Sequence, residues 1–152
     1  MSDIQIVIFL LNNELCAVEA GCVHKIEKYT ALTPIPEMPS YIDGVFDLRG
    51  SVVPVINLNR RFGLGDTEIT KKTKIIVINN ESTLMGFAVN NVIEIINIDS
   101  TQVDRSESIL NINSKHYIKG VGKKDGKLFS IIDLNAVLNK DEFSFITESI
   151  SK

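Results

Sequence analysis

The sequence predicts a mainly β protein made of two related five-stranded β-barrels that share a hydrophobic core, with a short C-terminal helix. Three observations carry this. First, Tyr41-Ile42-Asp43-Gly44-Val45 recurs as Tyr117-Ile118-Lys119-Gly120-Val121. The match continues without a gap, Gly50 with Gly126, Ile56 with Ile132 and Leu58-Asn59 with Leu134-Asn135. The offset is 76 residues throughout, the size of a small β-module and too long for one turn of a solenoid. Second, the chain falls into short runs of β-branched and aliphatic residues bounded by Asn, Asp, Gly or Pro, as strands and turns require. Third, a half-chain of roughly 70 residues has little core of its own, so the halves must bury a common one.

In order, Ile4 to Leu11 reads as a strand, Asn12-Asn13 as a turn and Leu15 to Val18 as the returning strand. Ala20 to Lys28 suits either a short helix or a strand. Thr33 to Pro39 holds Pro34, Pro36 and Pro39, which exclude a helix or a central strand there. Tyr41 to Leu48 and Ser51 to Leu58 read as strands around an Arg49-Gly50 turn, with Pro54 suggesting an edge or a bulge. Asn59 to Leu64 reads as a short helical or looped segment, and the polar run Gly65 to Lys72 as the boundary between halves. The pattern restarts with strands over Lys74–Ile78, Leu84–Val89 and Val92–Ile98. Asp99 to Lys115 is polar and loop-like. A hairpin over residues 117–134 follows, turning at Asp125-Gly126. The apolar spacing of Val137, Leu138, Phe143, Phe145, Ile146 and Ile150 predicts a helix over 136–150. The expected organisation is one domain over 1–152, with subdomains at about 1–66 and 72–140.

The chain has 152 residues, 44% apolar and 23% charged, as in a globular domain. A net charge of −3 argues against nucleic acid or an anionic membrane as the main partner. Ile6 to Leu11 is too short for a secretory leader and follows Asp3 instead of a basic region. No run reaches the ~20 apolar residues of a membrane span. The expected location is cytoplasmic, with Cys16 and Cys22 reduced.

No catalytic signature is present, so no enzyme activity is expected. His24 and His116 read as surface or partly buried structural histidines, and neither joins a Ser-His-acid pattern. Cys16, Cys22 and His24 match no common zinc spacing, so no metal or other cofactor is expected. The two cysteines read as small apolar residues on neighbouring strands. Gly120, Gly122 and Gly126 lie between strand-like runs instead of opening into a helix, which favours a hairpin over a phosphate loop. An oligonucleotide-binding barrel would want more aromatic residues than 7% and a basic stripe. The asymmetry between the repeats falls at their turns. The second reads Lys123-Lys124-Asp125-Gly126, an ordinary charged hairpin; the first reads Asp47-Leu48-Arg49-Gly50. A guanidinium on a rigid turn can bind a carboxylate or carbonyl in a bidentate, planar way. It could equally be solvated, or bonded to Asp47 or Glu27.

Gly44-Val45-Phe46-Asp47-Leu48-Arg49-Gly50-Ser51-Val52-Val53-Pro54-Val55-Ile56-Asn57-Leu58 resembles the core motif of the CheW family of chemotaxis coupling proteins, G-V-x-N-L-R-G-x-x-x-P-V-x-D-L. Pro34-Ile35-Pro36 resembles the loop before that motif. Gly120-Val121-Gly122 through Asp133-Leu134 resembles the family's C-terminal hairpin. The resemblance runs from Ile6 to about Leu138. It implies two SH3-like barrels and a non-enzymatic adaptor that links the regulatory domain of the histidine kinase CheA to the cytoplasmic helical hairpin of chemoreceptors. It implies no cofactor, no nucleic acid and no direct membrane contact, with membrane arrays reached through partners. Kinase pairing would be barrel to barrel, and a receptor hairpin would lie in a groove between barrels.

Carried over by position, Arg49 matches the motif arginine, Gly44 the motif glycine, and Val23 an aliphatic position on the contact strand. Val45, Leu48 and Val92 are further candidate apolar contacts. Four positions depart from the family pattern. Lys25 occupies a position where the family often has a glutamate that pairs with the motif arginine. Asp47 replaces the usual asparagine and is placed to compensate. Asn57 and Asn59 replace the more usual aspartate and arginine. An adaptor of the same type in another pathway, such as pilus motility, is the alternative.

Overall fold

Ile75-Ile76-Val77-Ile78 shows why the strands read as unbroken apolar runs. Ile75 and Val77 pack in one cluster with Phe46, Leu48, Val53, Val55 and Ala88. Ile76 and Ile78 pack in another with Phe9, Leu11, Val18, Ile56 and Phe87. Alternate side chains of a strand point to opposite faces, so a strand buried on both faces has no polar alternation. Ile6 and Ile8 likewise face a third cluster with Phe129 and Ile131, while Val7 and Phe9 face the second. The middle cluster is the core shared by the two halves.

The computed structural model describes residues 3–105 and 117–150. The strands are β1 (Asp3–Leu11), β2 (Glu14–Glu19), β3 (Lys25–Lys28), β4 (Ile42–Leu48) and β5 (Ser51–Asn57), followed by the one-turn helix α1 (Leu58–Arg61). Next come β6 (Lys74–Asn80), β7 (Thr83–Val89), β8 (Asn91–Asp99), β9 (Val103–Asp104), β10 (Ile118–Lys124) and β11 (Lys127–Ile132), and the C-terminal helix α2 (Lys140–Ile150). His116 and the stretch 106–115 of the predicted loop lie outside the described residues.

The strands form two curled sheets, one in the order β3-β6-β7-β5-β4 and the other in the order β8-β1-β2-β11-β10-β9. The predicted mainly β architecture with a C-terminal helix is observed. The first sheet has the expected five strands, and the second adds the two-residue β9. Sheet membership does not follow the expected division at 66–72. The leading hairpins are exchanged: β1 and β2 join the late strands, and β6 and β7 join the early ones. The cause is parallel pairing. β5 lies parallel to β7, with Val55 opposite Gly86, and β11 lies parallel to β2, with Ile131 opposite Ala17. Parallel neighbours need a long connection, and each hairpin reaches its place by crossing to the other half.

The duplication is repeated in fine geometry. The β4–β5 ladder slips between Ile42 and Gly44, and β10–β11 slips between Ile118 and Gly120. Thr33 bridges Val45 through two 2.9 Å backbone hydrogen bonds and closes the first sheet on itself. Asp104 sits opposite Val121 in the same way. A Cβ on Gly44 would lie 2.6 Å from Thr33 O, and one on Gly120 2.9 Å from Asp104 O. The repeated Gly-Val therefore exists to let a closing strand approach.

β5 lies between β7 and β4 and is not an edge. Pro54 is tolerated there for a geometric reason. Val45 spends both its backbone groups on Thr33, so its pair with Pro54 is of the non-hydrogen-bonded kind. The proline nitrogen faces the β7 side, where pairing begins only at Val55. The C-terminal helix is shorter than the predicted 136–150. Asp133 caps a separate turn at Leu134–Ala136. Asn139 then starts α2 through a reciprocal pair with Glu142, at 2.8 and 2.9 Å.

Candidate functional site

Leu48 pairs with Ser51, leaving Arg49 (φ 51) and Gly50 (φ 91) as a two-residue loop. Positive φ at both positions is the backbone of a type I′ hairpin. The second copy builds the same loop from Asp125 (φ 52) and Gly126 (φ 78). Aspartate tolerates this conformation better than most residues do, and arginine has no such aptitude. The first copy therefore displays a guanidinium from a position that carries a backbone cost.

Arg49 is exposed and lines a cavity of about 210 Å³ with His24, Lys25, Leu48, Ser51 and Leu84. It forms no hydrogen bond or ion pair with any described residue, Asp47 and Glu27 included. Glu27 is engaged by Lys25 at 3.0 Å. With Lys25 where the family often has a glutamate, the glutamate–arginine pair does not form, and two cations share one cavity wall. Lys25 is drawn to its own strand, and Asp47 does not compensate. His24 is exposed beside Arg49.

The six predicted residues do not form one cluster. Leu48 and Arg49 share the cavity, although Leu48 is buried in the first barrel. Val23 is half-buried against the shared core and lines a neighbouring cavity of about 390 Å³ with Cys22, His24, Asn79 and Asn135. Gly44 and Val45 are buried in β4, and the close approach at Gly44 is to Thr33 of this chain. Val92 lies on the other sheet, opposite Phe9, and packs against the shared core.

The exposed apolar residues of β8 are Ile93 and Ile95, 44% and 54% exposed. Neither was selected from the sequence. Ile8 pairs with Glu94 and Phe9 with Val92, so Ile93 is the extra residue of a bulge, which breaks the period-two reading. Ile95 pairs with Val7. It therefore sits on the face that packs the two sheets together elsewhere, at a place where nothing covers it. Among the described residues, β8 pairs only with β1.

The substituted asparagines have internal roles. Asn57 Nδ2 donates to Asp43 at 3.2 Å, joined there by Tyr29 Oη at 3.4 Å and Arg60 Nη1 at 3.3 Å. An aspartate at 57 would set two carboxylates together, so Asp43 and Asn57 are a matched exchange. Burial pushes the Asp43 carboxyl up despite Arg60, and burial beside Asp43 pushes the Tyr29 phenol to about 12. Asn59 is fully buried and donates to Thr67 Oγ1 at 2.7 Å and Asn90 Oδ1 at 2.9 Å.

Cys16 is buried, and burial holds its thiol up at about 12. Cys22 corrects the expectation of two packed cysteines, because it is exposed on the turn after β2. No cluster of metal-ligating side chains occurs among the described residues. No described helix is long and apolar enough to cross a membrane.

The family model for a CheW-like domain matches residues 5–142. The chain belongs to the CheW family. It is 32% identical to the chemotaxis protein CheW of Bacillus subtilis (strain 168) over 137 residues, covering 90% of this chain and 88% of that one. It is also 32% identical to the chemotaxis protein CheW of Helicobacter pylori over 138 residues, 91% of this chain and 83% of that one. The crystal structure of the scaffolding protein TtCheW from Thermoanaerobacter tengcongensis superposes with a TM-score of 0.82 at 32% identity, covering 93% and 92% of the two chains. CheW-family membership accounts for the two curled sheets and for the motif around Arg49.

Proposed function

We propose that this chain is a non-enzymatic chemotaxis adaptor that couples the regulatory domain of the kinase CheA to the cytoplasmic helical hairpin of chemoreceptors. It would work in the cytoplasm and join receptor arrays through these partners. The observation that carries the receptor half of this reading is Ile95. It is an aliphatic side chain left uncovered on the face that otherwise joins the barrels, and a helix laid between the barrels would bury it. Ile93 is exposed on the same strand, and Val92 and Val23 are half-buried against the shared core. Helix-in-groove binding draws its energy from aliphatic contacts of this kind.

Arg49 supports the second contact. A guanidinium on a rigid hairpin, bonded to no described residue, is ready for a carboxylate or carbonyl of a partner. Leu48 supports the hairpin from within the barrel, and Gly44 and Val45 maintain the strand behind it. Individually weak contacts would gain strength from simultaneous engagement in an array.

The test is a titration of the full chain against a CheA regulatory domain and, separately, a receptor hairpin fragment from the same organism. Ile95→Asp is expected to abolish receptor binding and spare the kinase. No association of the wild-type chain with either fragment would overturn the proposal.

A further inference from the structure

Four lysines gather at the end of β3 away from the Arg49 cavity. Lys28 and Lys74 stand directly opposite each other in the β3–β6 ladder, on the face that carries Ile26 and Ile76. Lys74 Nζ donates to Lys72 O at 2.9 Å, which holds the Lys71-Lys72 turn against them. Lys28, Lys71 and Lys72 are exposed and Lys74 is half-buried. None of the four takes part in an ion pair with a described residue. The nearby carboxylates of Glu27 and Asp43 are engaged by Lys25 and Arg60. Glu68 is exposed and unpaired with the cluster.

Like charges directly opposite on antiparallel strands are destabilising. Lysine on an edge strand is a known guard against unwanted strand pairing, and this accounts for Lys28 on β3. It does not account for Lys74 on an inner strand, nor for Lys71 and Lys72 in a turn. The concentration is local, since the chain as a whole carries −3. Ile69, 50% exposed, lies two residues before the turn.

We propose that this lysine cluster docks an acidic segment of a partner protein, with Ile69 as the apolar contact at its rim. The chemistry favours a protein over the other anions. A membrane surface would be met by an amphipathic helix with several apolar side chains, and here one isoleucine stands alone. A single-stranded nucleic acid would be met by aromatic platforms. The nearest ring, Tyr29, has its hydroxyl turned to Asp43. The site goes beyond the coupling reading, because it uses none of the residues assigned to the Arg49 cavity or to the Ile95 contact.

The test uses the full chain and three probes, which are a short glutamate-rich peptide, vesicles of phosphatidylserine in phosphatidylcholine, and single-stranded DNA. The Lys71→Gln, Lys72→Gln double variant removes two charges whose side chains make no hydrogen bond with a described residue. It is expected to fold as wild type, to bind the acidic peptide about tenfold more weakly and to show a shallower salt dependence. Ile95→Asp should leave peptide binding unchanged, so failure of the coupling reading and failure of this one are separable. Equal peptide affinity in the wild type and the double variant would overturn the proposal. So would tighter binding of the vesicles or the DNA than of the peptide.

Discussion

Arg61 and Glu142 form a two-pronged ion pair, Nη2 to Oε1 at 2.7 Å and Nη1 to Oε2 at 2.9 Å, that ties α2 to α1. The same guanidinium donates through Nε to Val137 O at 3.0 Å and lies 4.8 Å from the Tyr41 ring centre. Tyr41 Oη adds a 3.2 Å bond to Glu142. Ile146 is fully buried behind this network. α2 is thus held by Ile146, with Phe143 and Ile150 packed against the same core, and by one charge network.

Glu142→Gln is expected to destabilise the fold by about 1–3 kcal/mol, since it leaves a partly buried guanidinium with a weaker acceptor. Burial raises the Glu142 carboxyl, but the Asn139 backbone N–H and the Arg61 guanidinium outweigh it and hold it below the usual range. A folded-state value below the unfolded one contributes stability above the ordinary glutamate range, and that stability is lost as pH falls through the folded value. Urea melts across acid pH should therefore show the wild type converging on the variant as Glu142 protonates. A constant gap down to low pH would show that the pair is not the cause.

Gly44 tests whether the motif glycine serves the fold or a partner. Its φ of +146 and the 2.6 Å approach to Thr33 O make Gly44→Ala cost about 3 kcal/mol, from backbone strain and overpacking together. Gly120→Ala, with a 2.9 Å approach to Asp104 O, should be destabilising in the same sense. Chemical denaturation of both variants is the measurement. A Gly44→Ala protein with wild-type stability and lost partner binding would return the glycine to the contact surface.

The strands were legible because burial on both faces leaves long aliphatic runs such as Ile4–Leu11 and Ile75–Ile78. Their partners were not, since a run of valines and isoleucines does not say which sheet it joins. The exchange of β1–β2 and β6–β7 is therefore invisible to periodicity. Arg49 stood out because its repeat partner is Asp125. The exposure of Ile95 was not legible, because the bulge at Ile93 shifts the alternation of β8 by one residue. Val92, a candidate contact from the sequence, is half-buried against the shared core. Pairing of Lys25 with Glu27 also depends on the local strand, where residues two apart share a face.

Arg49→Ala is expected to weaken partner coupling while changing stability by less than about 0.5 kcal/mol, because the side chain is exposed and unpaired. Arg49→Asn sharpens the test. Asparagine accepts a positive φ more readily, so this variant should gain a few tenths of a kcal/mol, about 0.5, and still lose coupling. Stability and binding would then move in opposite directions, which a structural tie cannot produce. Unfolding of either variant would identify Arg49 as part of the scaffold.

Asn90 is the joint between the two barrels. Its Oδ1 accepts from the Asn12 backbone N–H at 2.6 Å and from Asn59 Nδ2 at 2.9 Å, so it joins the β1–β2 turn of one sheet to the helix that follows β5 of the other. Asn12 Nδ2 reaches on to Leu64 O at 2.8 Å. Asn90→Ala strands the Asn12 backbone donor and one N–H of the fully buried Asn59 amide, which keeps its bond to Thr67, at a cost of about 2–4 kcal/mol. Asn90→Asp keeps both acceptor bonds but loses the Nδ2 donor to Asn12 Oδ1 at 3.4 Å and places a charge beside Asn59, whose Oδ1 accepts from no described residue. It should be intermediate, and it should improve towards wild type as acid pH protonates it. Hydrogen exchange is expected to show the loss at the Asn12 amide first, ahead of the ladder amides of β6 and β7. Uniform loss across both sheets would mean that the barrels unfold as one unit, and that Asn90 contributes to global stability without acting as a joint.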